Sequence, residues 1–396
     1  MKLIIAGKNS IAVDVLKYVI DNLDIQIFVV LNRTEDFKNT FQKSLGFYAN
    51  LWGIPILTLE DVYKYEQAVF LSLEFDRIIS PGLFKTKHLF NIHFSLLPAY
   101  KGMYTSALPI LHGNDKTGVT LHEIDHGIDT GKIIAQEEIK IENTDTARSL
   151  YVKYIKYGTE LVVRNITNLI QNNYTCYKQS HEGSTYFGKK SIDYSNFQIN
   201  YRQTAEQVIR ELRAFSFREY QLPQFQNKQI GTWQITDEKS TSKPNSIVRE
   251  EGNKIQVTTI DYDIVLYEDF YENLWDFCKG NNYLSLKKLL TTRNINLETK
   301  TKEGWTALIL AAYNGAYECL EILINHGADV DASNYNYTTV LMYAKTNCLI
   351  TNDKKILNKL IDSGGNMYAK DIFGKSLFDW VKEEDKSLYD FLKSRV

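Results

Sequence analysis

The strongest constraint on the fold is an alternation of apolar runs at the start of the chain. Leu3 to Ala6 is a short apolar run closed by Gly7, and Ile25 to Leu31 is a second run with several β-branched residues. Between them, Ile11 to Ile20 has the apolar spacing of a helix. Strand, helix and strand in this order predict an α/β fold with a parallel sheet that is buried on both faces.

The turn Gly7-Lys8-Asn9-Ser10 lies where open α/β sheets bind ligands, between the end of a strand and the start of a helix. It has neither the G-x-G-x-x-G fingerprint nor a Walker sequence. Two interpretations of Asn9 and Ser10 stay open at this point: contacts to a substrate, or caps of the following helix.

Three polar side chains of different chemistry occur within the segment 91–131. Asn91 and His93 open the sequence Asn91-Ile92-His93-Phe94-Ser95-Leu96-Leu97-Pro98, and on a strand two residues this far apart point the same way. Asp129 follows in the loop Gly127-Ile128-Asp129-Thr130-Gly131. An amide, an imidazole and a carboxylate suit oxyanion binding, proton removal and orientation of the base. Taken singly, each also has a structural explanation, such as a turn or a satisfied core histidine.

The pattern N-x-H-x-S-L-L-P followed by D-T-G resembles the formyltransferases that use 10-formyltetrahydrofolate. The resemblance covers roughly the first half of the chain, and it implies a Rossmann-like domain with the folate as co-substrate. It also implies the catalytic residues, which are Asn91, His93 and Asp129.

The same resemblance implies binding residues around the motif. In the family, the segment that corresponds to about 71–82 holds the pterin, although Arg77 could instead meet a substrate phosphate. Related enzymes often have an Arg-Gly pair that positions the acceptor, and here Lys101-Gly102 keeps the charge but loses the planar fork. The residues implied are Phe75, Asp76 and Arg77 for the folate, and Lys101 and Tyr104 for the acceptor. Asn9 and Ser10 are added as candidate substrate contacts because of their place between strand and helix.

The run His122-Glu123-Ile124-Asp125-His126 matches the zinc motif H-E-x-x-H, which needs both imidazoles on one face of a helix. Here Val119, Thr120 and Ile124 favour a strand, on which residues four apart are separated by about 13 Å. We therefore predict no metal at this run, and the formyl-transfer chemistry needs none.

Composition argues against several other classes of protein. The formal net charge is -2, so the chain has no excess of basic residues to neutralise a nucleic-acid backbone. Its four cysteines are widely spaced and are expected to be free thiols in a reducing compartment. No apolar run approaches the length of a membrane span, and we expect a cytoplasmic protein.

The region 179–268 is expected to form a small α+β subdomain. Tyr186-Phe187-Gly188 and the stretch Arg213-Ala214-Phe215-Ser216-Phe217-Arg218-Glu219-Tyr220 resemble pieces of the sugar-nucleotide N-formyltransferases. That resemblance implies aromatic and basic residues that cover a nucleobase, and a dimer formed through this region. The alternative for the aromatic residues is packing in the core. The residues concerned are Phe217, Arg218 and Tyr220.

From about residue 270 the sequence changes to repeated pairs of helical segments. Gly304 to Ala332 closely resembles one ankyrin unit of about 33 residues, and Asn336 begins a second unit with an insertion at 348–355. The segment 272–300 is predicted to be a degenerate first unit, and Gly374 to Val396 a terminal cap.

Trp305 and Tyr337 occupy equivalent positions in the two ankyrin units, where the side chain is usually free to vary. Ankyrin modules normally bind proteins. Two aromatic side chains in register predict a small secondary binding surface for a protein or a flat ligand. Packing of these side chains against the region 180–268 is the alternative.

Together these resemblances imply a formyltransferase domain at 1–178, a small α+β subdomain at 179–268 and an ankyrin-repeat domain at 269–396. The expected reaction formylates the amine of a dTDP-linked amino-dideoxyhexose, such as dTDP-3-amino-3,6-dideoxyglucose, for O-antigen and lipopolysaccharide synthesis. One alternative is a methionyl-tRNA or other folate-dependent formyltransferase, although the near-neutral charge does not favour tRNA. Another is an ankyrin scaffold with an inactive enzyme domain, against which the intact catalytic set argues.

Overall fold

The protein divides into two compact units in a computed structural model that describes residues 1–293 and 295–395. The first unit comprises Met1–Lys38 and Gln42–Glu268, and the second comprises Asn39–Phe41 and the chain from Asp269 onward. Asn294, within the predicted first ankyrin unit, and Val396, at the end of the predicted cap, lie outside the described residues. The boundary at 178/179 stays a prediction.

The first unit contains the α/β domain and the small subdomain. Its strands are β1 (Lys2–Gly7), β2 (Gln26–Leu31), β3 (Ala68–Leu73), β4 (His88–His93), β5 (Lys101–Gly102), β6 (Lys116–Glu123), β7 (Ile133–Lys140), β8 (Tyr186–Phe187), β9 (Gln224–Phe225), β10 (Lys228–Ile235), β11 (Ile247–Glu251), β12 (Lys254–Val257) and β13 (Ile264–Glu268). Its helices are α1 (Asn9–Asn22), α2 (Leu45–Leu51), α3 (Leu59–Tyr63), α4 (Leu108–Leu111), α5 (Ala147–Ile170) and α6 (Ala205–Ala214).

The main sheet has the strand order β2-β1-β3-β4-β6-β7. The pairs among β1 to β4 are parallel, whereas β6 pairs antiparallel with both β4 and β7. All six residues of β3 are buried, as expected for a strand in the middle of a covered parallel sheet. The carboxyl ends of the parallel strands meet at one edge, where Gly7 is in register with Leu73, and Leu73 with Ile92. This edge is where open α/β sheets bind ligands.

Helix α5 packs closely on this sheet because Gly158 has no side chain. A Cβ atom at Gly158 would lie 3.0 Å from Ile11 of α1 and 3.4 Å from the ring of Phe94, which follows β4. Thr146 caps the start of the helix: its side chain accepts a hydrogen bond from the Ser149 backbone N–H, and the Ser149 side chain accepts one from the Thr146 backbone N–H.

Two segments show where sequence patterns and strands part. Ile54-Pro55-Ile56 has the β-branched residues typical of a strand but makes only an isolated parallel bridge to Val29, because Pro55 has no N–H with which to continue a ladder. Strand β11 was not predicted. It lies at the edge of the second sheet, which has the order β11-β12-β13-β10-β9, and all its residues are exposed, so its sequence has no apolar face.

The second unit consists of helix pairs over a shared core, and the predicted ankyrin architecture is confirmed. Thr306 and Thr339, about one repeat length apart, each begin a helix by accepting a hydrogen bond from the N–H three residues ahead. Leu308, Leu320 and Leu341 are among the buried core residues. The helices are α7 (Tyr271–Lys279), α8 (Tyr283–Thr292), α9 (Ala307–Asn314), α10 (Tyr317–Asn325), α11 (Val340–Thr351), α12 (Lys355–Asp362), α13 (Leu377–Glu384) and α14 (Lys386–Lys393).

Throughout residues 1–293 and 295–395, none of the helices combines the length and the apolar character that crossing a membrane requires.

Candidate active site

Asn91 and His93 lie at the carboxyl end of β4. They are two positions apart on a strand, so both side chains leave the same face of the sheet. Asp129 approaches from the loop between β6 and β7, where its backbone is left-handed with a φ of 56°. Its Oδ2 atom lies 3.4 Å from Nδ1 of His93, and its Oδ1 atom lies 3.5 Å from Nδ2 of Asn91. The structure therefore brings together the three side chains that the sequence places in two separate segments.

The hydrogen bonds of His93 fix its tautomer. Nε2 lies 2.8 Å from the carbonyl oxygen of Tyr100, which has no proton to give, so Nε2 carries the hydrogen and donates it. The lone pair of the neutral ring is then on Nδ1, which faces Asp129. His93 is 7% exposed, and this burial lowers the pKa of its imidazole, although the Asp129 carboxylate acts in the opposite direction. At neutral pH, His93 is a neutral base with Nδ1 as its proton acceptor.

The Asp129 carboxylate stays ionised beside this base. Burial opposes its ionisation, but His93 and His122 outweigh burial, with help from the Gly102 N–H, which donates to Oδ2 at 2.9 Å. Together they lower the pKa of Asp129 to about 2. Asp129 therefore provides a fixed negative charge at neutral pH and has little tendency to accept a proton.

His122 belongs to this site, although the sequence analysis considered it only as part of a zinc motif. It lies on β6 in register with Asn91 and is 2% exposed, whereas His126 lies in the exposed loop that follows. Nδ1 of His122 donates to the carbonyl of Glu123 at 2.7 Å, so Nε2 accepts a hydrogen bond from Nδ2 of Asn91 at 3.1 Å. The pairing of Asn91 with His122 on adjacent strands is the feature from which His122 could have been identified.

The predicted acceptor residues Lys101 and Tyr104 lie beside the segment 184–194. Lys101 is on β5, which pairs with β8, and its Nζ atom donates to Ser184 Oγ at 3.1 Å. The Tyr104 hydroxyl donates to the carbonyl of Lys189 at 2.8 Å, and its ring contacts Tyr194. Both predicted residues therefore already have partners within the protein.

Phe75, Asp76 and Arg77 form the loop after β3. The Asp76 carboxylate accepts a hydrogen bond from the backbone N–H of Arg33 at 2.9 Å, and the Arg77 guanidinium lies 4.7 Å from the centre of the Phe75 ring. Nε of Arg77 is buried and has no hydrogen-bond partner among the described residues. A buried donor of this kind can be satisfied by a ligand oxygen.

Asn9 and Ser10 do not cap α1. The capping position is Lys8, and the Asn9 amide instead donates to Glu74 at 3.1 Å and to the Tyr151 hydroxyl at 2.9 Å. Ser10 Oγ accepts a hydrogen bond from a backbone N–H of the segment before α2. The helix-capping interpretation is therefore wrong, and both side chains lie just beyond β1 at the ligand-binding edge of the sheet.

Phe217, Arg218 and Tyr220 differ in their surroundings. Phe217 is 6% exposed and contacts the rings of Tyr151 and Tyr220 at 5.6 and 4.7 Å between centres. Arg218 is partly exposed, and Tyr220 is 63% exposed. Core packing therefore accounts for Phe217, whereas the face of Tyr220 remains accessible.

In the ankyrin unit, Trp305 packs with two tyrosines. Its ring centre lies 5.1 Å from that of Tyr313 and 4.7 Å from that of Tyr343. Tyr337 is 55% exposed and has a left-handed backbone. In the described part of the chain, the ring contacts of Trp305 are with these tyrosines of α9 and α11 rather than with Tyr337.

Comparison with known proteins identifies relatives of both parts of the chain. A family model described as formyl transferase matches residues 58–166, and a model described as ankyrin repeats in three copies matches residues 274–371. Among curated proteins, the methionyl-tRNA formyltransferase of Coxiella burnetii is 25% identical over 274 residues, which are 65% of this chain and 86% of that protein.

Two solved structures are more similar in sequence. The N-formyltransferase from Helicobacter canadensis, in complex with folinic acid and dTDP-3-aminofucose, is 41% identical and has a TM-score of 0.64. The match covers 68% of this chain and 100% of that one. WlaRD, a sugar 3N-formyltransferase solved with dTDP and 5-N-formyl-THF, is 42% identical with a TM-score of 0.63, over 68% of this chain and 97% of its own. The chain therefore belongs to the sugar N-formyltransferase family, with ankyrin repeats following its enzyme part.

Proposed function

We propose that the protein transfers a formyl group from 10-formyltetrahydrofolate to the amine of a dTDP-linked amino-dideoxyhexose, such as dTDP-3-amino-3,6-dideoxyglucose. The observation that most directly supports the proposal is that Asn91, His93 and Asp129 lie together at the carboxyl ends of the parallel strands. The folate and dTDP-sugar in the Helicobacter canadensis complex support the choice of both substrates.

His93 is the general base in this proposal. The amine attacks the formyl carbon as a neutral nucleophile, and Nδ1 then accepts the proton that the nitrogen must lose. Collapse of the tetrahedral intermediate breaks the bond between the formyl carbon and N10 of the folate. The imidazolium returns the proton to N10, and tetrahydrofolate leaves. The carbonyl of Tyr100 holds the opposite nitrogen, which aims Nδ1 at the site. Asp129 stabilises the imidazolium through its charge, and its pKa of about 2 favours this orienting role over that of a proton relay.

Asn91 stabilises the tetrahedral oxyanion. One hydrogen of its amide is directed at His122 Nε2 at 3.1 Å, and the other makes only a long contact of 3.5 Å with Asp129. An oxyanion in place of this second contact would receive a short hydrogen bond from a donor that is already oriented. One such donor is typically worth about 3–4 kcal/mol.

Other residues carried over from the sequence complete the proposed binding sites. The unpartnered Nε of Arg77 supports a ligand at the Phe75–Arg77 loop, either the folate or a substrate phosphate. The exposed ring of Tyr220 supports a stacking partner for the nucleobase, next to Arg218. The acceptor site is proposed to include Asn9, Ser10, Lys101 and Tyr104, at the same edge of the sheet.

A panel assay tests the proposal. The protein is incubated with 10-formyltetrahydrofolate and dTDP- or UDP-linked 3- and 4-amino sugars, and the products are identified by mass spectrometry. We expect formylation of a dTDP-linked 3-amino sugar with a large preference over UDP-linked sugars. Methionyl-tRNA is included because the curated relatives are named methionyl-tRNA formyltransferases. If it is formylated and no amino sugar is, methionyl-tRNA takes the place of the proposed acceptor.

The proposal also has finer parts. The formylated sugar is destined for O-antigen or lipopolysaccharide, the enzyme acts in the cytoplasm, and it dimerises through region 180–268. The ankyrin repeats bind a protein or flat ligand through Trp305 and Tyr337, a role supported by the exposure of the Tyr337 side chain. Substitution Trp305→Ala should weaken that binding and leave the arrangement of His93 and its partners unchanged. Unchanged affinity for every tested ligand would remove this role.

A further inference from the structure

A carboxylate that the catalytic mechanism does not use lies next to the proposed active site. Glu74 follows β3 directly, with a left-handed backbone at a φ of 57°. Its carboxylate accepts hydrogen bonds from the Tyr151 hydroxyl at 2.8 and 2.9 Å and from the Asn9 amide at 3.1 Å. These donors come from α5 and α1, so the carboxylate is fixed by two helices at the ligand-binding edge.

All the groups that hold Glu74 are electrically neutral. Among residues 1–293 and 295–395, no Lys, Arg or His nitrogen forms an ion pair with its carboxylate within 4 Å; Lys8 acts on it only through a longer electrostatic interaction. Burial raises the pKa of Glu74, against the hydrogen bonds of Tyr151 and Asn9. A largely buried carboxylate without a cation has an uncompensated desolvation cost, which a cationic ligand would offset.

The position of Glu74 brings it close to the proposed base. Leu73, the last residue of β3, is in register with Ile92, and Glu74 and His93 are the residues that directly follow this last pair. Adjacent strands are about 4.8 Å apart. The Tyr151 ring also lies 6.0 Å from that of Phe94, the residue that follows His93. A small group placed between these two strand ends is within reach of both Glu74 and the catalytic set.

We propose that the Glu74 carboxylate binds the acceptor amine in its ammonium form and so selects amino sugars over the corresponding hydroxy sugars. This inference rests on the proposed function. At neutral pH much of a free amine with a pKa of about 8 is protonated, and it arrives as a cation. Asn9 and Tyr151 keep the carboxylate in place. The ammonium group releases one proton to water, the neutral amine attacks the formyl carbon, and Nδ1 of His93 accepts the second proton. Glu74 thus acts in recognition before His93 acts in catalysis.

The substitution Glu74→Gln tests this role because it removes the charge and keeps the shape. The KM and kcat/KM for the dTDP-amino sugar are measured, together with the Ki of dTDP and the Ki of the dTDP-hydroxy sugar that lacks the amine. Loss of one charge-assisted hydrogen bond should reduce kcat/KM roughly 10- to 100-fold through KM. The two Ki values should stay within about twofold, since neither inhibitor has the ammonium group. Glu60→Gln, at an exposed position in the first turn of α3, is the matched control and should behave like the wild type.

Repeating the comparison of the wild type with Glu74→Gln at about pH 9.5 shows whether Glu74 binds the ammonium group or a hydroxyl group of the substrate. At that pH the amine is neutral, so the difference between the wild type and Glu74→Gln should shrink to within a few fold. The other titratable groups that face Glu74 are Lys8, Tyr151 and Tyr220, and burial raises the pKa of both phenols, which keeps them protonated. A defect that persists unchanged at high pH, or one that weakens dTDP equally, would overturn the assignment.

The wild-type assay distinguishes failure of this inference from failure of the proposed function. If the wild type formylates the dTDP-amino sugar and Glu74→Gln does so with the same KM, only the role of Glu74 is lost. If the wild type formylates no amino sugar, the proposed function and the inference built on it are both rejected.

Discussion

At the scale of single residues, the proposed mechanism depends on which nitrogen of the His93 ring carries no hydrogen. The bond from Nε2 to the Tyr100 carbonyl leaves Nδ1 as the only basic atom of the ring, and Asp129 faces that atom. The carboxylate therefore cannot accept a hydrogen bond from the neutral ring, and its attraction appears only when the ring becomes protonated. This arrangement stabilises the imidazolium that forms during the reaction more than the resting base, which is the requirement for catalysis.

Substitution Asp129→Asn should move the acid limb of the pH–rate profile to lower pH. Burial already lowers the pKa of His93, and the Asp129 carboxylate raises it, so removal of that charge lowers the pKa further. In both enzymes kcat/KM falls below about pH 8 as the substrate amine becomes protonated. The additional fall caused by protonation of His93 should begin only below about pH 6.5 in the wild type, and at a still lower pH and from a reduced rate in the variant. An acid limb that moves to higher pH would contradict the assignment of His93 as the base. His93→Asn is the reference variant and should lower kcat roughly 10²–10⁴-fold.

Substitution His122→Phe should reduce kcat with little change in either KM. Without Nε2 as an acceptor, one amide hydrogen of Asn91 loses its partner, and the amide is no longer fixed in the orientation that serves the oxyanion. The loss of one hydrogen bond corresponds to about 1–1.5 kcal/mol, or roughly a tenfold effect. Steady-state kinetics measure it, and His126→Phe, in the exposed loop, is the control that should leave kcat unchanged. An equal loss of kcat in the two variants would indicate a general disturbance of the loop after β6 and not a specific effect on Asn91.

At the scale of elements, the short pair β5–β8 positions the active site. Gly102 on β5 has a φ of 89°, and a Cβ atom there would lie 2.3 Å from the carbonyl oxygen of Phe187 on β8. The N–H of the same residue donates to Asp129. A two-residue strand therefore connects β8 to Asp129, the proposed orienting carboxylate, and glycine is needed for both the backbone angle and the close approach.

Substitution Gly102→Ala should cost activity as well as stability. The added methyl group must displace the Phe187 carbonyl, which separates β5 from β8 and moves the N–H that holds Asp129. Gly53→Ala is a matched control, because Gly53 also has a left-handed backbone at a φ of 67° but has open space around a Cβ atom. Both variants should lose about 1–2 kcal/mol of stability from backbone strain, measured by denaturant unfolding. Only Gly102→Ala should also lose most of its kcat. Equal kinetics in the two variants would show that the β5–β8 contact does not support the site.

At the scale of the whole molecule, the parts that were predictable from sequence are those in which a repeated or paired pattern fixes geometry. The spacing of Asn91 and His93 defines a strand face, and the threonine caps at 306 and 339 recur with the ankyrin period. Strand β11 could not be predicted because an exposed edge strand has no apolar face. Glu74 and His122 carry no motif for their roles: each acts through strands or helices distant in sequence, so only the folded sheet reveals their partners.

The division into two units predicts that the formyl-transfer chemistry belongs to the first unit alone. Every partner of His93, Asn91 and Asp129 described above lies before Glu268. The Helicobacter canadensis enzyme is matched over its whole length by 68% of this chain, a share close to that of residues 1–268. A chain ending at Glu268 should therefore fold and keep kcat within about tenfold of the full chain, because all three sheets and the hydrogen bonds of the proposed base are retained. Circular dichroism and the formylation assay measure this, with His93→Asn in the shortened chain as the inactive control. A folded but inactive fragment would mean that the chain after Glu268 is required to order the active site. Asn39–Phe41, which the fragment keeps, belong to the same compact unit as that missing part.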